Sequence, residues 1–359
     1  MVKLIVIIDR IGMNKSLSEQ IKIRSSNINL LRFIAAISVI FCHSFAVSRN
    51  AGDPLNIIDK GQCNVGGVAV AVFFFLSGLY VTKSLEKDVS LFTFFKKRCM
   101  RIFPQLWITV LVCVFVLGPI ITCVSLKEYF GSEDTYKYLL NMVLLPVHNL
   151  PGVFNMNAYQ TVNGPLWTMP VEFAAYIGLM ILAAVSERLC KLNGRINRKR
   201  LNLLVVCLLI VIYLFTVFYL HNQMLISIAR PMLIFYEGVM YYDYREKITL
   251  NPIFGIVALI VLFAFAQTFV FSLLFVLLLP YGILSITLGF NQVPINWMVL
   301  ITSYEMYLVG WPIQQVVQMI NHNLSPVENW LITIPIDILL GLILYKLTEK
   351  IVRYLPNKA

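Results

Sequence analysis

Two ionisable residues inside one apolar stretch raise the question of chemistry. Ile28 to Ser44 reads INLLRFIAAISVIFCHS and carries Arg32 and His43, with ten residues between them. As a helix they lie about 16 Å apart along the axis at 1.5 Å per residue. Ionisable groups within a bilayer are costly and face a protein interior or a water-filled cavity. A guanidinium grips oxyanions through paired N–H donors, and a neutral imidazole accepts a hydroxyl proton near pH 7. One near each end of a single span suggests a path through a helix bundle with chemistry along it. Each also has a bland reading, Arg32 as a snorkelling anchor and His43 as a polar tip at the opposite interface.

Three further constellations bear on that path. FFKKRCMRIFP, residues 94–104, holds Arg98 and Arg101 three apart, on one face if helical. It reads as a positive-inside anchor or as an anion clamp for phosphates. NGPLWTMPVEFAAY, residues 163–176, places Glu172 about 9 Å below the mouth of a span, loosened by Pro165 and Pro170. An intramembrane carboxylate needs a partner; an arginine would make it structural, and His43 lies at a comparable depth from the same side. VAVFFFLSGLYVTKS carries Ser77–Gly78, where close helix packing is expected. Arg230, Glu237, Glu305 and Asp337 are further intramembrane charges without an assigned role, and His148, His221 and His322 read as ordinary surface residues.

These residues need a membrane scaffold to position them. The 359-residue chain is 59% hydrophobic and 13% charged, with a mean hydropathy of +0.78; a soluble globule has about 25% charged residues. We expect an all-α integral membrane protein of about ten transmembrane helices, near 28–45, 65–82, 103–124, 166–185, 202–220, 224–242, 251–268, 269–288, 294–320 and 329–351. The seventh and eighth have little polar punctuation and could form one long or re-entrant element. Of 29 Lys and Arg, 23 fall on one side of this layout and four on the other, which predicts an even number of spans and both termini in the cytoplasm.

The +11 net charge therefore reflects orientation and does not point to nucleic acid. Residues 1–27 and 352–359 are expected as cytoplasmic tails flanking a 28–351 transmembrane domain. Residues 4–8, LIVII, are too short for a signal-peptide core, and Met13 could be the true start. On the outer side, 46–64 and 125–165 form longer loops; the second, broken by Pro146 and Pro151, is expected to lie on the surface as a lid. Seven scattered cysteines show no metal-ligand spacing and no disulfide framework, a Cys63–Cys123 bridge being the one pairing worth checking.

Taken in order, Arg32-x10-His43, FFFLSGLYVTKS, Arg98-x-x-Arg101 before IFP, PLWTMPVEF and SYEMYLVGWP resemble the acyltransferase-3 family of bacterial integral-membrane acyltransferases. The chain departs from the family pattern at Asn29, where an aspartate is frequent, and at Gly310, where a late histidine is frequent. The resemblance implies a multi-pass protein of the bacterial cytoplasmic membrane that moves an acyl group, typically acetyl, from acyl-CoA to a sugar hydroxyl. The acceptor would be a cell-envelope glycan, such as O-antigen or exopolysaccharide, or its lipid-linked precursor. It implies no permanently bound cofactor, with acetyl-CoA a substrate held by Arg32, Arg98 and Arg101. His43 and Glu172 would be the catalytic pair, with Trp167 and Tyr304 on the substrate. A transporter or flippase of a lipid-linked glycan is the rival reading, since buried charge also suits a proton-coupled carrier; a non-catalytic membrane subunit is the third.

Overall fold

The computed structural model describes residues 15–22, 25–48, 52–193, 197–294 and 298–354. Residues 4–8 and Met13 lie outside this set. Ten main helices are present: α1 Ser26–Val47, α2 Val65–Lys87, α3 Leu91–Val112, α4 Thr168–Asn193, α5 Arg198–Phe215, α6 Gln223–Asp243, α7 Pro252–Ala264, α8 Phe271–Gly289, α9 Ser303–Ile320 and α10 Pro326–Tyr354. Every expected span falls on one of them. By length and composition, eight can cross a membrane; α7 and α9 are the two outside that group. Thirteen residues of α7 reach about 20 Å, short of a bilayer core of about 30 Å. Three glutamines and Glu305 make α9 too polar to count as a span by hydropathy.

Local sequence sets the helix starts. Ser25, Asn64, Ser90, Asn197, Asn222 and Asn251 each accept a backbone N–H of the first turn of α1, α2, α3, α5, α6 and α7, satisfying donors that lipid could not. α7 and α8 are two helices, separated by turns at 265–270. Gly255, Gly282 and Gly289 let them touch, Gly255 facing the Gly282 carbonyl and Gly289 facing the Pro252 ring. α3 begins twelve residues before the expected start, so the 94–101 arginine segment is helical. Its far end continues through a π-turn at Cys113–Leu117, and the Tyr129 hydroxyl donates to the Val114 carbonyl at 2.8 Å.

α2 is the most buried of the eight candidate spans and crosses α6 at a pair of glycines. A Cβ on Gly78 would sit 1.9 Å from the Phe235 carbonyl oxygen, and one on Gly238 2.3 Å from that of Phe75. The close packing expected at Ser77–Gly78 is thus present. At the end of the bundle bearing Lys83 to Arg101, Glu86 joins α2 to α5 and α6. It accepts from Arg198 at 3.1 Å, Arg245 at 3.3 Å and the Tyr242 hydroxyl at 2.7 Å, while Arg198 also pairs with Asp243.

The expected N-terminal tail is not wholly detached. Lys15–Ser16 pairs antiparallel with Thr249–Leu250, the two-residue strands β1 and β2. Leu17, Ser18 and Ile21 of the following short helix are buried. The 125–165 segment does lie across the opposite end as a lid of short helices and turns. It is pinned to α9: Trp311 Nε1 donates to the Thr161 carbonyl at 2.9 Å, and Gln315 Nε2 to those of Tyr159 and Thr161. Asn157 and Asn163 donate back to the carbonyls of Gln315 and Leu308. The seven cysteines are all free, with Cys63 buried and Cys123 exposed, so the candidate Cys63–Cys123 bridge is not formed.

Candidate active site

Three hollows lie in series through the bundle. A vestibule of about 370 Å³ is lined by Lys22, Arg32, Lys83, Arg98 and Arg101. A central chamber of about 50 Å³ follows, walled by Arg32, Arg101, Glu172, Ser77 and Tyr304. Beneath the lid is a cavity of about 580 Å³ holding His43. Arg32, Ser77 and Arg101 border both vestibule and chamber. Val70, Thr168 and Tyr307 border both chamber and lid-side cavity. The three hollows thus adjoin one another between Arg32 and His43 of α1, with Tyr307 at the boundary, or neck, between the chamber and the lid-side cavity. That hydroxyl is fixed between Thr168 Oγ1 at 2.7 Å and the Pro165 carbonyl at 3.2 Å.

At the basic end α3 delivers both clamp arginines. Arg98 stacks over Phe94 and Tyr176, with its guanidinium carbon 5.5 and 5.8 Å from the ring centroids, and reaches Ser84 Oγ at 3.4 Å. Arg101, one helical turn on, makes no hydrogen bond or ion pair with any described residue and is solvent-exposed in the hollows it borders. Arg32 lies 5.5 Å over the Tyr80 ring. Five cations line this hollow and no carboxylate does, an arrangement chemically suited to an anion.

Glu172 faces the chamber, where it accepts from the Tyr176 hydroxyl and from Ser77 Oγ at 3.3 Å. Ser77 and Tyr176 are themselves bonded at 2.8 Å. Sequence reasoning gave Ser77 a packing role alone; it also holds this carboxylate. Arg32 and Arg101 share the chamber with Glu172, yet neither forms a salt bridge with it. Tyr304 lines the same chamber and donates to the Ile102 carbonyl at 3.1 Å.

The lid-side cavity holds His43 and Trp167. His43 packs edge-on against Trp311 with centroids 5.0 Å apart. No hydrogen bond joins it to Glu172, which lies beyond the neck; the expected His43–Glu172 pair is not made. Two residues not assigned to the site from sequence also line this cavity. His148, expected to be an ordinary surface residue, projects from the lid with a buried Nδ1 that lacks a partner. Arg230, left without an assigned role by the sequence, borders it from α6. His221 and His322 are exposed, as expected. Tyr307, Thr168 and Trp311 were not singled out from sequence, although their polar atoms within otherwise apolar spans were a usable signal.

Cys42 and Cys63 also border the cavity. Burial pushes the Cys63 thiol up to about 11, which removes it as a nucleophile near neutral pH.

With this geometry in hand, the family follows from comparison. The family model described as an acyltransferase domain matches residues 25–346, and the chain belongs to that acyltransferase-3 family. Among curated proteins it is similar to the O-acetyl transferase of Shigella phage Sf6, 32% identical over 154 residues, 43% of this chain and 44% of that one. It is 30% identical to Nodulation protein 10 of Rhizobium leguminosarum bv. viciae, over 45% of each chain. Acyltransferase MdmB of Streptomyces mycarofaciens is 29% identical over 43% of this chain and 38% of its own. The chain thus aligns with under half the length of each of these relatives. No solved structure matches it.

Proposed function

We propose that the protein is a membrane O-acyltransferase carrying an acyl group, acetyl by preference, from acyl-CoA to a sugar hydroxyl of a cell-envelope glycan or its lipid-linked precursor. The observation that carries this reading is the series of hollows joining a cationic vestibule to a histidine-bearing cavity 16 Å or so away along α1. Its family membership and its O-acetyl transferase relative support the same reaction class. We place both termini in the cytoplasm and count ten spans in a bacterial inner membrane, with α7 and α9 completing the bundle; the 23-to-4 split of Lys and Arg supports this orientation.

In this reading Arg98, Arg101 and Arg32 bind the phosphates of acyl-CoA at the cytoplasmic face. The pantetheine arm threads the chamber and brings the thioester to the neck beside Tyr307. Trp167 offers an aromatic face to the acceptor sugar, and Tyr304 borders the arm. His43 takes the proton of the acceptor hydroxyl as its oxygen attacks the thioester carbonyl. The tetrahedral intermediate then collapses, the carbon–sulfur bond breaks, and the CoA thiolate recovers the proton from the imidazolium. Glu172 acts within the chamber that the arm crosses, beside Arg32 and Arg101, and not as the orienter of His43.

The test is transfer from radiolabelled acetyl-CoA by the full chain in nanodiscs. His43→Gln keeps a hydrogen-bonding group and loses the base, so transfer should drop about 10²–10⁴-fold while acetyl-CoA still binds. An active His43→Gln protein removes histidine from the mechanism. A wild-type protein that binds acetyl-CoA and never consumes it removes the enzyme.

A further inference from the structure

The lid-side cavity contains one full positive charge and no negative one. Its lining includes Arg230, His43 and His148, but no aspartate or glutamate. Arg230 is held firmly from behind. Its Nε donates to the Tyr213 hydroxyl at 3.1 Å, and one Nη2 hydrogen to the Gln62 carbonyl at 3.1 Å. The guanidinium carbon lies 5.0 Å from the Phe275 centroid and 5.7 Å from that of Tyr213. A guanidinium has five N–H donors. Two are used, which leaves three, two on Nη1 and one on Nη2, without a described partner. No described carboxylate lies within salt-bridge distance of it.

Asp59 is the nearest acid in electrostatic terms, and it is turned inward. Its Oδ1 accepts the Gly61 N–H at 3.1 Å and its Oδ2 is buried without a partner. Arg230 is half-buried and borders a half-open hollow with no acid in its lining, a setting in which an anionic ligand gains a charge-assisted contact.

We infer that the acceptor is anionic, and that Arg230 holds an oxyanion of it, phosphate or carboxylate, while the acceptor hydroxyl faces His43. The inference rests on the acyl-transfer reading above and narrows its acceptor class. A diphosphate joining a sugar to a prenyl chain and a uronic-acid carboxylate within a glycan offer the same planar-fork partner. Neutral sugars offer the guanidinium only uncharged hydroxyl acceptors, which make the weaker hydrogen bonds.

The experiment uses the full chain in nanodiscs with three probes: a sugar linked through diphosphate to a short prenyl chain, a uronic-acid oligosaccharide, and a neutral methyl glycoside. Equilibrium binding is measured without acetyl-CoA, and transfer with it. At least one anionic probe should bind roughly 10- to 100-fold more tightly than the neutral one, the worth of a charge-assisted fork. Arg230→Gln should erase that margin and leave neutral-sugar binding unchanged. Arg230→Lys, which keeps the charge, should restore part of it, and unaltered acetyl-CoA binding confirms that each variant is folded. Which anionic probe wins identifies the source of the oxyanion. Equal binding of all three probes, or an equal loss for neutral and anionic probes in Arg230→Gln, overturns the inference. Selective anion binding with no transfer in any arm would instead retire the acyltransferase reading and keep the site.

Discussion

Arg101→Ala is the perturbation that separates an anion clamp from a topological anchor. Both clamp arginines belong to the basic end, so charge distribution alone cannot tell the two roles apart. The structure does, because the side chains are spent differently. Arg98 is committed to Ser84 and to the faces of Phe94 and Tyr176, whereas Arg101 keeps every N–H free at the border of vestibule and chamber. Each charge-assisted hydrogen bond is worth about 1.5–3 kcal/mol. Losing one such contact from Arg101 should raise the Kd for acetyl-CoA roughly 10- to 150-fold. Arg101→Lys should recover only part, since the ammonium lacks the planar fork. The assay is equilibrium binding of acetyl-CoA and of S-acetylpantetheine, which lacks the phosphates, to wild type and both variants in nanodiscs. S-acetylpantetheine should bind all three equally. If acetyl-CoA binds Arg101→Ala like wild type, the clamp reasoning fails and the arginine only orients the helix. If both ligands weaken together, Arg101 shapes the chamber and does not read phosphate.

Other consequences follow from particular contacts. Gly78→Ala would bring a Cβ to 1.9 Å from the Phe235 carbonyl oxygen; α2 and α6 must part by about 1 Å, at about 1–3 kcal/mol, so thermal stability in nanodiscs should fall, and an unchanged melting temperature would deny the crossing. Asp337 is fully buried with both carboxyl oxygens unpartnered, so Asp337→Asn removes a potential charge and should melt no lower than wild type; a large loss would reveal a partner for the acid. Burial raises the Asp59 carboxyl to about 6. A raised folded-state acid loses stability as pH climbs from its unfolded value of about 4 through 6, so Asp59→Asn should gain on wild type as pH rises from about 5 and hold that gain to about pH 8, and a gap that narrows with rising pH would contradict the assignment.

Helix positions were readable chiefly from apolar length. Asn64, Asn222 and Asn251 also stand close before the apolar runs whose first turns they cap, whereas α8 and α9 have no side-chain cap. The glycine crossing at Ser77–Gly78 was readable for a related reason, since a small residue in a bulky apolar run has few other uses in a membrane. The start of α3 was misplaced because Lys96, Lys97, Arg98 and Arg101 look like a loop to hydropathy, although none of them breaks a helix. α7 and α9 fall outside the eight by length and composition, one too short and the other too polar, and they pack against α8 and α10.

The pairing of His43 with Glu172 failed for a reason that depth arithmetic cannot detect. Rise per residue gives how far a side chain lies from a helix end, and by that measure the two residues match. It gives neither the azimuth of each helix nor what stands between them. Here the Pro165–Thr168 turn and Tyr307 form a wall at the depth where the two were expected to meet. Tyr176 and Ser77, one turn along α4 and one helix across, reach Glu172 first. His148 was missed, and Arg230 left without a role, by the same limit acting in the opposite direction. A histidine in an irregular lid and an arginine in a sixth span carry no periodic signal toward a common point. They converge because α9 pins the lid through Trp311 and Gln315, and because Tyr213 and Gln62 aim the guanidinium. Separating the carboxylate from the imidazole also suits a path with a donor entrance and an acceptor entrance. A Glu172 directly bonded to His43 would have to share the lid-side cavity with an anionic acceptor, and like charges in a low-dielectric hollow repel strongly. Kept below the neck, the carboxylate lies beside two arginines and leaves the fork of Arg230 open to the acceptor.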